Sequence, residues 1–260
     1  MIRPVTGALL DDLPATEVRR VTVDDTARWL ALGWGDMRRS PVLSLGFGAV
    51  FAAVGHLLTA GLAQAGMGSL VLPLGAGFML LAPFLAVAFY EISRRHELGE
   101  KPDLAGVAMA WRRNPAGLGN MALVLILALF AWVQLALLLF MLFFAANPPP
   151  FEGFILDILS TPRGLSFLMV GTALGGALAS VVFAISAVSL PMLLDRPVPA
   201  GVAVKASLAA VFANWRVMIG WALAIALITF AGMALFFVGL IVALPLVGHA
   251  TWHAYRTVVV

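Results

Sequence analysis

The chain has no cysteine among its 260 residues, and only 11% of them are charged. The first absence removes disulfides, thiolate nucleophiles, iron–sulfur clusters and cysteine-type zinc sites together. The second, beside 62% hydrophobic residues and a mean hydropathy of +1.01, leaves too little polar surface to solvate a globular domain. The net charge of +3 comes from 16 basic against 13 acidic residues, too small an excess for a nucleic-acid-binding face. There is no phosphate-binding glycine loop, no paired-histidine metalloprotease motif and no nucleophile elbow. The first forty residues carry twelve charged side chains and so lack the apolar core of a cleavable signal. The first span is therefore expected to be an uncleaved anchor.

What is present is a series of long apolar runs parted by short charged stretches. Residues 1–22 mix charge with Pro4 and Pro14, show no helical period, and read as a mobile cytoplasmic tail. Residues 23–257 read as a single all-α, polytopic membrane domain. Asp24 or Asp25 is placed to cap a helix in which Trp29, Leu30, Trp34 and Met37 recur at helical spacing, and Ser40-Pro41 ends it. Apolar spans follow at 42–62, 70–92, 116–144 and 164–190, each long enough for a hydrocarbon core of about 30 Å. Asn147-Pro148-Pro149-Pro150 opens a loop to residue 163 in which Phe151, Phe154, Ile155, Ile158 and Leu159 are apolar enough to rest on the interface. From 217 to 255 there are 39 residues with no acid or base other than His249 and His253. At ~1.5 Å per residue they reach about 58 Å, nearly two bilayer thicknesses, so they read as two spans with a tight turn at 236–239.

Six transmembrane helices then fall into three units, 24–92, 102–194 and 198–257, each an interfacial helix followed by a helical hairpin. The junctions Ser40-Pro41, Asn114-Pro115 and Asn214-Trp215 stand at the same place in each. Putting both termini and the even loops on one side gathers fifteen of the sixteen basic residues there, all but Arg163, and the positive-inside rule makes that side cytoplasmic.

The polar residues inside this pattern are few. His56 and Gln134 lie within spans, where lipid satisfies neither, so each is expected to bond to a neighbouring helix. Gly171 and Gly175 make a small-residue motif suited to close helix packing. Trp29, Trp34, Trp111, Trp215 and Trp252 sit near span ends, and Trp29, Trp34 and Trp111 are expected at headgroup depth rather than in the bundle core. Glu91 has Arg94 and Arg95 at i+3 and i+4, which makes a local ion pair its first explanation. His249 and His253 stand at i and i+4, a spacing that suits a metal, but no third ligand follows from spacing and interfacial anchoring is the default. Counted from the span ends, Glu91 and His253 fall within about one turn in depth, which makes Glu91, His249, His253 and Tyr255 a candidate polar cluster. His56 sits too deep for a bis-histidine haem with either, so no metal or cofactor is expected.

Three stretches, Trp29-Leu30-Ala31-Leu32-Gly33-Trp34-Gly35-Asp36, Arg39-Ser40-Pro41 and Gly248-His249-Ala250-Thr251-Trp252-His253-Ala254-Tyr255-Arg256, resemble a domain-of-unknown-function family of predicted proteobacterial inner-membrane proteins. The resemblance implies six spans in the inner membrane, makes the last motif the family's clearest signature, and implies no established activity. Gly35 stands where the family has a larger, often basic residue. Three readings of function follow: a non-enzymatic accessory or assembly partner of other inner-membrane proteins, first; a transporter or permease of a small or lipophilic solute, second; a membrane-embedded metal protein or enzyme, third. Its expected surroundings are the lipid bilayer, without nucleic acid.

Overall fold

A computed structural model describes residues 17–67, 70–145 and 154–259, and these are helical apart from their connections and one isolated backbone bridge. In chain order the helices are α1 (Val23–Arg39), α2 (Pro41–Gln64), α3 (Val71–Leu85), α4 (Val87–Glu97), α5 (Leu104–Ala108), α6 (Pro115–Phe144), α7 (Phe154–Ser160), α8 (Pro162–Ser186), α9 (Ser189–Asp195), α10 (Ala200–Ala213), α11 (Trp215–Ala234) and α12 (Leu240–Val258). A short 3-10 turn at Ala110–Arg112 joins α5 to α6.

Proline places several of the boundaries. It opens α2, α6 and α8, where its missing N–H would have had no intrahelical partner anyway. Within α3, Pro83 precedes the break at Ala86 that separates α3 from α4. The break between α8 and α9 is made differently, by a side chain. Ser207 of α10 places its hydroxyl between the Ala184 carbonyl, to which it donates (2.7 Å), and the Val188 N–H, from which it accepts (3.2 Å). A hydroxyl set into the helical ladder in this way bends the chain without leaving a backbone group unsatisfied. The expected junctions Ser40-Pro41, Asn114-Pro115 and Asn214-Trp215 all coincide with helix starts.

Among the described residues, five helical stretches are long and apolar enough to cross a membrane: Pro41–Gln64, Pro73–Glu97, Pro115–Phe144, Pro162–Asp195 and Trp215–Ala234. The chain breaks after Ala234 and restarts at Leu240, with Phe236 and Phe237 at positive φ in the turn expected there. The second half of that hairpin is α12, which is not one of the five. It carries His249, Thr251, His253 and Arg256, and 13 of its 19 residues are buried, because the other helices pack round it instead of leaving it to lipid. The organising element is thus α12, in contact with α1, α2, α4, α9 and α11.

Two glycines set how close its neighbours come. A Cβ on Gly33 of α1 would lie 2.6 Å from the Ala250 backbone nitrogen, and one on Gly48 of α2 would lie 2.4 Å from the Ile241 carbonyl oxygen. Backbone meets backbone at both places. α1 therefore turns its stripe of Trp29, Gly33, Asp36 and Met37 inward against α12, instead of lying flat at an interface.

Two further expectations change. Residues 17–22 of the expected mobile tail are held: the Val21 N–H donates to Asn214 Oδ1 (2.9 Å), Asn214 Nδ2 donates to the Arg19 carbonyl (3.0 Å), and Val18 bridges Val259. Of the expected 147–163 loop, residues 147–153 lie outside the described residues. Beyond them the chain is helical, and Ile158 of α7 is buried beside Phe144 and Phe167 because a helix turns it off the interface.

Candidate functional site

The histidines of α12 meet an acid, and it is Asp36 rather than Glu91. Asp36 ends the buried stripe of α1 and is 3% exposed. His253 Nε2 lies 2.7 Å from its Oδ2 and His96 Nδ1 lies 3.1 Å from its Oδ1, so two imidazoles from α12 and α4 converge on one carboxylate. The other nitrogen of His96 meets the Ser40 hydroxyl at 2.9 Å. His249, fully buried, is held between Ser93 (2.8 Å) and Ser44 (2.9 Å), with the Phe89 ring edge-on at 5.6 Å. Burial alone would raise the Asp36 carboxyl. Hydrogen bonds from His253 and Ser93, with the charge that His253 can carry, outweigh it and hold the group below the usual carboxylate range. The arrangement can bind and pass protons between α1, α4 and α12. Among the described residues no group of three or more His, Asp or Glu side chains is placed to hold a metal ion.

The candidate cluster of Glu91, His249, His253 and Tyr255 is thereby divided. Glu91, 1% exposed, takes the guanidinium of Arg94 through two bonds (2.8 and 3.0 Å) and that of Arg95 through one (3.0 Å), which is the local pairing its spacing suggests. The Tyr255 hydroxyl donates to Asp195 Oδ2 (2.7 Å), which Arg256 also contacts at 3.2 Å. Arg256 bridges onward to Glu97, and Glu97 accepts from the Trp252 indole at 3.1 Å. Asp36, His96, Ser44 and Ser93 were missed. The legible signal was an acid on the apolar stripe of an amphipathic helix, a position where a surface carboxylate has no reason to be.

The tryptophans separate as well. Trp29 is fully buried, edge-on to Trp221 at 5.4 Å with its indole N–H on the Thr257 hydroxyl, and Trp252 is buried too, so neither is outside the packed core as expected. Packing on α12 draws them in. Trp34 and Trp215 are exposed, Trp215 under the Arg216 guanidinium at 5.1 Å, and Trp111 is half-buried against Phe84. His56 and Gln134 both point out of the bundle and bond to no described residue, contrary to the expected interhelical bonds. Gly171 has no neighbour within 4 Å of a Cβ, while Gly175 packs on Trp132, so the small-residue motif does not bring two backbones together here.

What that motif does line is a cavity of about 1000 Å³ between α3, α6, α8, α11 and α12. Among the described residues no Asp, Glu, Lys, Arg or His borders it. Its wall is apolar apart from a few hydroxyls, two of which, on Tyr90 and Thr229, belong to residues only 2% exposed and bond to no described residue. Trp132 closes one side, its indole N–H on the Pro73 carbonyl at 2.7 Å.

Residues 71–195 match the family described as predicted integral membrane protein (DUF2189). That stretch runs from α3 to α9 and includes most of the cavity wall, while the motifs at 29–41 and 248–256 lie outside it. No curated protein and no solved structure matches the chain. The protein is an all-helical, multi-pass integral membrane protein whose matching family has no described activity.

Proposed function

We propose that this membrane protein is a carrier for a neutral, lipophilic molecule bearing at least one hydrogen-bonding oxygen, held in the cavity walled by Tyr90, Trp132, Trp221 and Thr229. The supporting observation is the cavity itself: its volume suits a ligand of drug size or larger, and an uncharged wall penalises ions and charged solutes. The two buried hydroxyls fix the polar end of the guest. Of the readings the sequence left open, this favours the lipophilic-solute carrier over the assembly partner.

Binding is tested with a pyrene-labelled long-chain alcohol, read by energy transfer from Trp132 and Trp221 in detergent. Saturable binding of one probe per chain is expected. Gly176 lines the cavity and has nothing within 4 Å of a Cβ, so Gly176→Trp should fill the space and weaken the probe more than tenfold with the fold intact. Tyr90→Phe combined with Thr229→Val should weaken the alcohol about tenfold but leave the matching pyrene alkane unchanged, one to two lost hydrogen bonds being of that size. Unaltered binding in Gly176→Trp would end the reading.

The cavity wall requires an arrangement in the bilayer. We place α12 as a sixth span in a bacterial inner membrane, with both termini cytoplasmic. Support comes from the side chains that tie the basic ends together: Arg256 to Glu97 and Asp195, Arg113 to the Leu194 carbonyl, and Asn214 to Arg19. Because the chain lacks cysteine, single cysteines at Glu100 and Glu152 report sidedness directly. An impermeant maleimide added to whole cells should label Glu152→Cys and leave Glu100→Cys untouched; the reverse pattern inverts the topology.

A further inference from the structure

Among the described residues one face of α6 is exposed along its length, and its chemistry specifies what covers it. Asn120, Leu127, Gln134 and Met141 recur every seven residues along it, with Leu123, Phe130 and Leu137 between them at the alternate three- and four-residue steps, and all seven are exposed. Such a heptad face is the seam along which two parallel helices interlock. From Met121 to the end of α6 the only polar side-chain groups are the Trp132 indole, bonded to Pro73, and the Gln134 amide, near the middle of that run and bonded to nothing described. Lipid offers an amide neither donor nor acceptor. Gln134 does not border the cavity, so a guest there does not reach it either.

We propose that two copies of the chain pair along this face of α6. An amide carries both a donor and an acceptor, so the same residue on a second copy answers both of its needs. Copies inserted in one membrane share an orientation, which puts their twofold axis along the bilayer normal and runs the two α6 helices parallel. Under that symmetry each residue near the axis meets its own counterpart. Gln134 faces Gln134 of the second copy, Asn120 faces Asn120 two heptads away, and leucine, phenylalanine and methionine fill the seam between. The amides set the register, as buried amides do in parallel helix pairs, and the apolar side chains supply the packing. The pairing needs no guest in the cavity, although Leu137 of the seam also borders it.

The full chain carrying Leu127→Cys or Met141→Cys, oxidised in native membranes with copper phenanthroline, should give a disulfide-linked dimer. Leu129→Cys, on the half-buried flank of α6, should not. In liposomes, energy transfer between donor- and acceptor-labelled chains should show dimerisation weakened about tenfold by Gln134→Leu and retained by Gln134→Asn. Gln134 is exposed and bonds to no described residue, so Gln134→Leu breaks no described hydrogen bond within a chain, and an unchanged circular dichroism spectrum verifies that the variant is folded. Transfer unaffected by Gln134→Leu, cross-links as strong at residue 129 as at 127, or cross-linking of Leu127→Cys to a different protein instead of itself, would each overturn the proposal.

Discussion

Asp36→Ala is expected to destabilise the protein by about 3 to 5 kcal/mol, since it leaves two imidazole donors inside the bundle with no acceptor. Asp36 joins α1, α4 and α12, taking His253 at 2.7 Å and His96 at 3.1 Å. Thermal unfolding in mild detergent, followed by circular dichroism, reads the loss. Asp36→Asn keeps the volume and one acceptor oxygen and should lose less. The pH dependence separates charge from shape. The Asp36 carboxyl is held below its ordinary value in the folded protein, so the stability it contributes is fully present above ~3.9, its value in an unfolded chain, and is lost as pH falls through the folded value. The gap in melting temperature between the native protein and Asp36→Asn should therefore narrow as pH falls below ~3.9. A gap that does not narrow at all as pH falls below ~3.9 would mean that the carboxylate charge contributes nothing.

Gly48→Val should be at least as damaging, at about 3 kcal/mol or more, because what stands in the way is backbone. A Cβ at residue 48 would lie 2.4 Å from the Ile241 carbonyl oxygen and 2.9 Å from the Ile241 Cα, so α2 and α12 would have to separate. Gly33→Val forces the same separation of α1 from α12 at Ala250. Gly46→Ala and Gly171→Ala have nothing within 4 Å and should be neutral or stabilising by up to about 1 kcal/mol, as alanine is the better helix former. Titration with a denaturing detergent would rank the four variants. Equal losses at Gly48 and Gly46 would show that the α2–α12 approach is not what holds the bundle. The contrast matters because Gly46 and Gly48 of the first span suit close packing by sequence alone just as Gly171 and Gly175 do, whereas of these four only Gly48 meets the backbone of another helix.

That contrast marks where local and tertiary information part. The apolar runs, the prolines at 41, 115 and 162 and the uncharged stretch at 217–255 determined by themselves that the chain is helical, where its helices begin and that it enters a membrane. Each of these follows from hydrogen-bond satisfaction along one segment, which the segment's own residues decide. The local pair of Glu91 with Arg94 and Arg95 was legible for the same reason. Which residues face one another across helices was not. Counting along a helix gives height; it gives no rotation about the axis relative to a neighbour. Glu91 and Ser93 are two residues apart on α4, about 200° round the helix, so when Ser93 turns to His249, Glu91 turns away to its arginines. That rotation is set by how closely α12 packs, through Gly33 and Gly48, against two helices some two hundred residues away in the chain. The same packing draws α12 into the centre, brings Asp36 rather than Glu91 to the histidines, and leaves Gln134 outside. Only the assembled bundle decides these, because they depend on the fit between distant surfaces and not on the pattern within any one of them.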